Sequence, residues 1–334
     1  MFHDRACFRH HQPSAHRGPR LMELKLTIGI ATAGRPTLLA RTLQSLAESV
    51  HPSGYRETIV IENGPKCGVQ DVVRCSPKSL RTRYLYEPQA NKSAALNRLL
   101  EEIDDGLILF ADDDIRIEPG SLRCYCEAAV EHGPGWFFGG PTRAEYELQP
   151  PAWLMNFLLH STGNTTLGNS TRTVHQPVFM GCNWAAHVTD LKAVGGFDVR
   201  KGPGSASRSV GQETDMQQRF LKRGLQGLYL PGAVAWHYVP RSRCSPQWTL
   251  DRSFREGICG GINAGQRGAS LFGRPLKDSL KLLRSLVSYG VTRLSKNPRL
   301  RFYGEHKWHW RSGYRQGCGL ENTVQTINKT RNAA

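Results

Sequence analysis

Residues 107–114 read Leu-Ile-Leu-Phe-Ala-Asp-Asp-Asp, an unbroken apolar run that ends in three carboxylates. A strand covered on both faces shows continuous rather than alternating hydrophobicity, so residues 107–111 read as a buried central strand. The acids then fall at its C-terminal end, where open α/β sheets gather their ligands. Three adjacent carboxylates repel one another unless a cation or solvent relieves them. Asp112 and Asp114, two apart, would share a face if the strand continued. Hard oxygen donors of this kind suit Mg²⁺ or Mn²⁺, usually together with a diphosphate. A solvated acidic turn is the plain alternative, and the surrounding chain has to decide between them.

Upstream, residues 24–32 read as a first strand. The turn Ala33-Gly34-Arg35-Pro36 leads into a helix whose Leu38, Leu39, Leu43 and Leu46 recur at helical spacing. Residues 57–62 form a second strand, closed by the turn signal Asn63-Gly64-Pro65, and residues 83–86 a third. A helix is expected from Asn91 to Ile103. This alternation predicts an α/β fold: a mostly parallel mixed sheet flanked by helices, with the ends of three strands meeting in a nucleotide-sized crevice. No Gly-x-Gly-x-x-Gly follows the first strand and no Gly-x-x-x-x-Gly-Lys-Ser/Thr occurs, which argues against dinucleotide-binding and P-loop folds. Further on, residues 177–180 and 228–230 look like strands, as does Trp236-His237-Tyr238-Val239. Residues 203–210 are rich in Gly and Ser and are expected to be mobile. Gly211-Gln212-Glu213-Thr214-Asp215 opens a helix, where Glu213 and Asp215 also suit the positive end of the helix dipole.

Charge divides the chain. Residues 241–334 carry 18 Lys and Arg against 5 acids, while residues 21–240 carry 22 of each. Residues 1–22 form a basic leader without an apolar core, expected to be disordered, and Met22 is a candidate start. No apolar run approaches the roughly 20 residues of a membrane span. Nine scattered cysteines without a Cys-x-x-Cys pair fit reduced thiols in a cytoplasmic protein rather than a zinc site. In the tail, Leu276, Leu280, Leu283, Val287, Val291 and Leu294 recur at three- and four-residue spacing, with Lys277, Lys281, Arg284 and Lys296 off that stripe. The bland expectation is that the stripe packs on the rest of the protein. The functional one is a peripheral contact with the inner face of the cytoplasmic membrane. Aromatic residues interleave with the tail's arginines, but no RNA-binding motif appears, so nucleic acid is not an expected partner.

Together these motifs resemble the inverting glycosyltransferases of family 2, which have the GT-A fold. The resemblance rests on Thr32-x-x-Arg35, Glu62-Asn63-Gly64, Asn91 and Asn97, Asp112-x-Asp114, Gly139-Gly140-Pro141 with Trp153-Leu154, Gly181-x-Asn183, Gly195-Gly196-Phe197-Asp198, Gly211-Gln212-Glu213-Thr214, and His237 with Arg241. It implies a GT-A-like domain over residues 23–257 and a basic, partly helical extension over residues 258–334. It further implies metal-dependent transfer of a sugar, with inversion, from a UDP-, GDP- or dTDP-sugar to a hydroxyl acceptor, for example a lipid-linked glycan. By that resemblance Thr32, Arg35, Glu62, Asn91, Asp112 and Asp113 would hold the nucleotide sugar. Asp114 and His237 would ligate Mn²⁺ or Mg²⁺, and Trp153, Asn183 and Trp184 would meet the acceptor. Glu213 would be the general base, with Asp215 its rival. The chain departs from the family's usual pattern in having Glu62 where aspartate is commoner and Gln212-Glu213 where Glu-Asp is usual. A sugar-nucleotide nucleotidyltransferase and a non-catalytic nucleotide- or polyanion-binding protein are the alternatives; the sparse Ala33-Gly34-Arg35 turn speaks against the first.

Overall fold

Residues 26–32, 55–63 and 107–112 bury nearly every side chain, and in a strand that requires a layer on each face. A computed structural model of the protein, which describes residues 24–158, 161–265 and 276–331, shows that arrangement. The expected disordered leader lies outside the described residues. The first half runs β1 (Leu26–Thr32), α1 (Pro36–Glu48), β2 (Tyr55–Asn63), α2 (Val69–Arg74), β3 (Arg83–Glu87), α3 (Lys92–Glu101), β4 (Leu107–Asp112), β5 (Ile115–Ile117) and α4 (Ser121–His132). It continues through β6 (Trp136–Gly139), β7 (Thr142–Tyr146), β8 (Arg172–Val174), β9 (Asn183–His187), α5 (Val188–Ala193), α6 (Gln212–Lys222), β10 (Gln226–Tyr229) and β11 (Ala235–Val239). Three helices close the chain: α7 (Pro246–Gly265), α8 (Leu276–Arg293) and α9 (Pro298–Arg331).

The main sheet has the order β3-β2-β1-β4-β9-β6-β10-β8. β1 to β4 are mutually parallel, while β9 runs antiparallel to both β4 and β6. A second sheet, β5-β11-β7, stands beside it. One apolar cluster packs α1 and α4 on the sheet, and another packs α3, α5 and α6 through Leu96, Leu99, Leu191, Met216 and Phe220. This is the mixed α/β fold expected from the sequence.

Two local expectations change. Residues 177–180 are not a strand: the side-chain amide of Gln217 accepts from the backbone N–H of Val178 and Phe179 and donates to Phe179 O, taking the place of a partner strand. Gly257, after which the extension is expected to begin, lies inside α7 rather than between elements.

That helix is gripped by α9 through glycines. A Cβ added at Gly257 would stand 2.1 Å from Trp310 O, and one at Gly261 2.2 Å from Tyr314 O. On the opposing helix, a Cβ at Gly313 would meet Phe254 O at 2.0 Å and one at Gly317 would meet Ile258 O at 2.1 Å. Two glycines four residues apart on each helix therefore let the backbones touch, a crossing only small residues permit. Among the described residues no helix is long and apolar enough to cross a membrane. Replacing Gly317 by Leu is expected to force α7 and α9 apart and destabilise the protein by about 1–3 kcal/mol, the usual range for overpacking. Gly290→Ala, in open space on α8, should be neutral or slightly stabilising. Thermal unfolding of both variants checks this; equal midpoints would mean the crossing carries no strain.

Candidate active site

The ends of β1, β2 and β4 open on one edge of the sheet, and the first residue after each decides what collects there. At the end of β1, Thr32 Oγ1 donates to Asp113 Oδ2 at 2.5 Å. Arg35, at the start of α1, donates from Nε to the same oxygen at 3.2 Å, and its two terminal nitrogens reach Asp113 Oδ1 and Asp114 Oδ2. Asp113 is wholly buried. Burial pushes its carboxyl up to about 6. Burial also works against the charge on Arg35, but Asp114 and Asp113 outweigh it and raise its pKa. Thr32 and Asp113 thus form a floor that anchors Arg35, rather than surfaces a ligand would touch.

Asp112 and Asp114 face a cavity of about 370 Å³. Lys92, the first residue of α3, donates from Nζ to Asp112 Oδ1. Asp114 is fixed by its own backbone, whose carbonyl accepts from Tyr238 N at 2.8 Å and so ties the turn to β11. His237 Nε2 lies 3.4 Å from Asp114 Oδ1, and Arg243 Nη1 lies 3.8 Å from Oδ2. Burial alone would raise the Asp114 carboxyl, but His237, Arg35 and Arg243 hold it well below the usual range. Its Oδ1 is buried and makes no hydrogen bond. One carboxylate oxygen is therefore committed to arginine while the other, beside an imidazole nitrogen, is free. That fits a hard divalent cation. No group of three or more His, Cys, Asp and Glu side chains suited to a metal gathers among the described residues. Two protein donors are enough for Mg²⁺ or Mn²⁺ when phosphate oxygens and water complete the shell.

The far wall comes from α6 and α7. Glu213 lines the cavity from the first turn of α6, half-buried, and forms no salt bridge among the described residues. Burial raises its pKa above the ordinary carboxylate value. Gly181 leaves it room, since a Cβ there would sit 3.3 Å from the Glu213 carboxyl. Trp248, Arg252 and Arg255, spaced four and three residues apart on one face of α7, also line the cavity. Burial and mutual repulsion among Arg252, Arg243 and Arg35 lower the pKa of Arg243, and burial with Arg252 lowers that of Arg255. So many guanidinium groups at one mouth form a site for a polyanion.

Other expected site residues are used elsewhere. Asp215 is buried and paired with Lys201 Nζ at 2.5 Å and Arg219 Nε at 2.8 Å, and does not line the cavity, so it is no rival to Glu213. Asn91 caps α3 by accepting from Ala94 N and donates to Val199 O. The Glu62 carboxylate accepts from Tyr84 OH and from Cys67 N, and is buried. Asn183 gives its amide hydrogens to Pro141 O and Ala233 O and accepts from Tyr125 OH. Trp184 is core, stacked on Phe110 at 4.8 Å. Trp153 packs edge-on against Phe302 of α9 at 5.3 Å. These three therefore support the site's walls and do not face an acceptor in the cavity. Arg241 does not line the cavity; Arg243, two residues on, does. The sequence reading gave no site role to Asn63, Lys92 or Trp248. Asn63 stands within Glu62-Asn63-Gly64, and Trp248 left a signal through its spacing from Arg252 and Arg255.

The sequence model described as Glycosyl transferase family 2 matches residues 27–195, half of the chain. The chain belongs to glycosyl transferase family 2. Its fold is that of GT-A glycosyltransferases. The mannosyltransferase PcManGT from Pyrobaculum calidifontis, solved with GDP-Man and Mn²⁺, superposes with a TM-score of 0.55 at 14% identity, covering 90% of this chain and 89% of that one. GalNAc-T7, solved with UDP, GalNAc and Mn²⁺, superposes with a TM-score of 0.50 at 11% identity, over 73% of this chain and 52% of that one. This family 2 chain thus spans about half the length of GalNAc-T7. No curated protein sequence matches it.

The buried pair separates structure from chemistry inside α6. Asp215→Ala would take from the wholly buried Lys201 the carboxylate 2.5 Å away and leave Asp198 at 3.8 Å, and is expected to cost about 3–5 kcal/mol of stability. Glu213→Gln should leave the unfolding midpoint nearly unchanged. Chemical denaturation of the two variants measures the contrast, and equal losses would contradict the assignment.

Proposed function

We propose that this glycosyltransferase moves a sugar from a nucleoside-diphosphate donor to an acceptor hydroxyl in a single displacement that inverts C1. The observation that carries the reading is the Glu213 carboxylate, which has no ion-pair partner among the described residues and lines the same cavity as Asp112, Asp114 and the arginine cluster. A role at the positive end of the helix dipole would not need that cavity, and Asp215 already occupies the ion pairs of the helix.

In this reading Arg243, Arg252 and Arg255 receive the donor diphosphate and neutralise the charge it gains as the bond to C1 breaks. Arg35 keeps Asp114 oriented, and Lys92 does the same for Asp112. Asp114 and His237 are the residues that would hold a Mn²⁺ or Mg²⁺ ion. Once bound, such an ion acts as a Lewis acid toward the leaving diphosphate. The UDP-, GDP- or dTDP-sugar is bound with its nucleoside over the ends of β1 and β2, where Asn63 lines the cavity. Glu213 takes the proton of the acceptor hydroxyl as that oxygen attacks C1. One base and one leaving group suffice, so no glycosyl-enzyme intermediate is required.

Glu213→Gln is expected to lower turnover by about 10²–10⁴-fold while donor binding, followed by thermal shift, persists. Unchanged turnover would place the base elsewhere. Asp114→Ala should remove the Mn²⁺-dependent part of the donor-induced thermal shift; a shift that survives with its metal dependence intact would remove Asp114 as a ligand. The pH profile follows from burial. Glu213 must be ionised to accept a proton, and its pKa is raised, so activity should rise with pH through a limb that lies above the ordinary carboxylate value of 4.5. A limb at or below that value would count against Glu213.

A further inference from the structure

Helix α8 is packed with its polar side inward. Ser285 is buried, Tyr289 stacks on Trp308 of α9 with ring centroids 6.3 Å apart, and Thr292 lies against Gly304. Its apolar stripe points the other way: Leu280, Leu283, Val287, Val291 and Leu294 are between 51% and 87% exposed. These positions fall within one narrow arc of the helix at 100° per residue, opposite the packed side. From Leu280 on, the Leu276 side chain lying outside the described residues, the stripe therefore does not pack on the rest of the protein, contrary to the bland expectation from its sequence. A surface helix ordinarily buries such a stripe, so this one is built to be covered by something else.

Two further observations say what covers it. Residues 280–319 carry nine Lys and Arg against one acid, Glu305. Beside the stripe, α8, α9 and residues 156–158 border an open cavity of about 620 Å³ lined by Lys281, Arg284, Lys307 and Arg311, with Trp310 and His306 among its walls. A cavity lined by four cationic side chains suits a phosphate group, and an aliphatic strip beside it suits acyl chains. None of these residues lines the active-site cavity.

We infer that α8 and α9 form a docking face for an anionic phospholipid bilayer, in which the α8 leucines and valines enter the acyl boundary and the cavity between the two helices takes lipid phosphate. Interfacial helices bind in this way, with apolar area and attraction to anionic headgroups adding together. Nucleic acid would use the cations and have no use for the exposed aliphatic strip.

Vesicle flotation of the full chain tests this without reference to activity, so its outcome is independent of the proposed reaction. The protein should float with phosphatidylcholine vesicles containing phosphatidylglycerol and stay behind with phosphatidylcholine alone. Leu283→Asp with Val287→Asp, both at exposed positions, should weaken partitioning about tenfold or more at every salt concentration. Arg284→Ala with Lys307→Ala should remove the preference for anionic vesicles and flatten the salt dependence. Circular dichroism would verify that both variants keep their helices. Four results would overturn the proposal. They are no flotation with either vesicle, flotation unaffected by the aspartates, binding of inorganic phosphate or of duplex DNA without binding of vesicles, and a stable dimer in light scattering that the aspartates dissolve.

Discussion

Everything at the active edge hangs on one guanidinium. Arg35 spans Asp113, at the bottom of the crevice, and Asp114, at its surface. Without a cation there, three consecutive carboxylates at the end of β4 would repel one another and the turn after the strand would have no reason to keep its shape. With it, Asp113 is buried, Thr32 is locked to it, and Asp114 is left with one oxygen for arginine and one facing His237. The ordering is economical in residues: one arginine at the head of α1 fixes the two acids that follow β4, while Lys92 holds Asp112 and the Asp114 backbone ties the turn to β11.

The sheet and the acid-bearing end of the cavity were legible because they depend on short stretches. Residues 107–114 announced a buried strand followed by acids, and the strand, the turn and the cavity lie where that pattern puts them. Glu213 was legible as an acid opening a helix. What could not be read was how polar groups are shared out across long sequence separations. Asn183 and Trp184 carry the marks of a binding motif, yet Asn183 satisfies three buried partners and Trp184 fills the core. Asp215 sits two residues from Glu213 with the same chemistry; Arg219, four residues on, is its one local mark, and the arrival of Lys201 from a preceding loop completes its pairing. For Asn183 and Trp184 nothing local gives the role away, since it is decided by which distant groups reach them.

The amphipathic tail taught the opposite lesson. Its periodicity was correctly readable, and α8 forms where the spacing predicts a helix. Periodicity gives a face but not its direction. Ser285, Tyr289 and Thr292 pack better against α9 than leucines would, since a close crossing such as that of Thr292 on Gly304 admits small and flat side chains and leaves no room for long aliphatic ones.

The glycine crossing of α7 on α9 also sets how the cavity is walled. Trp248, Arg252 and Arg255 line the cavity from α7, and that helix meets α9 backbone against backbone. Backbones in contact leave no side-chain slack between the helices. The depth at which α7 presents its tryptophan and arginines is therefore fixed by α9, a helix that lines no part of that cavity.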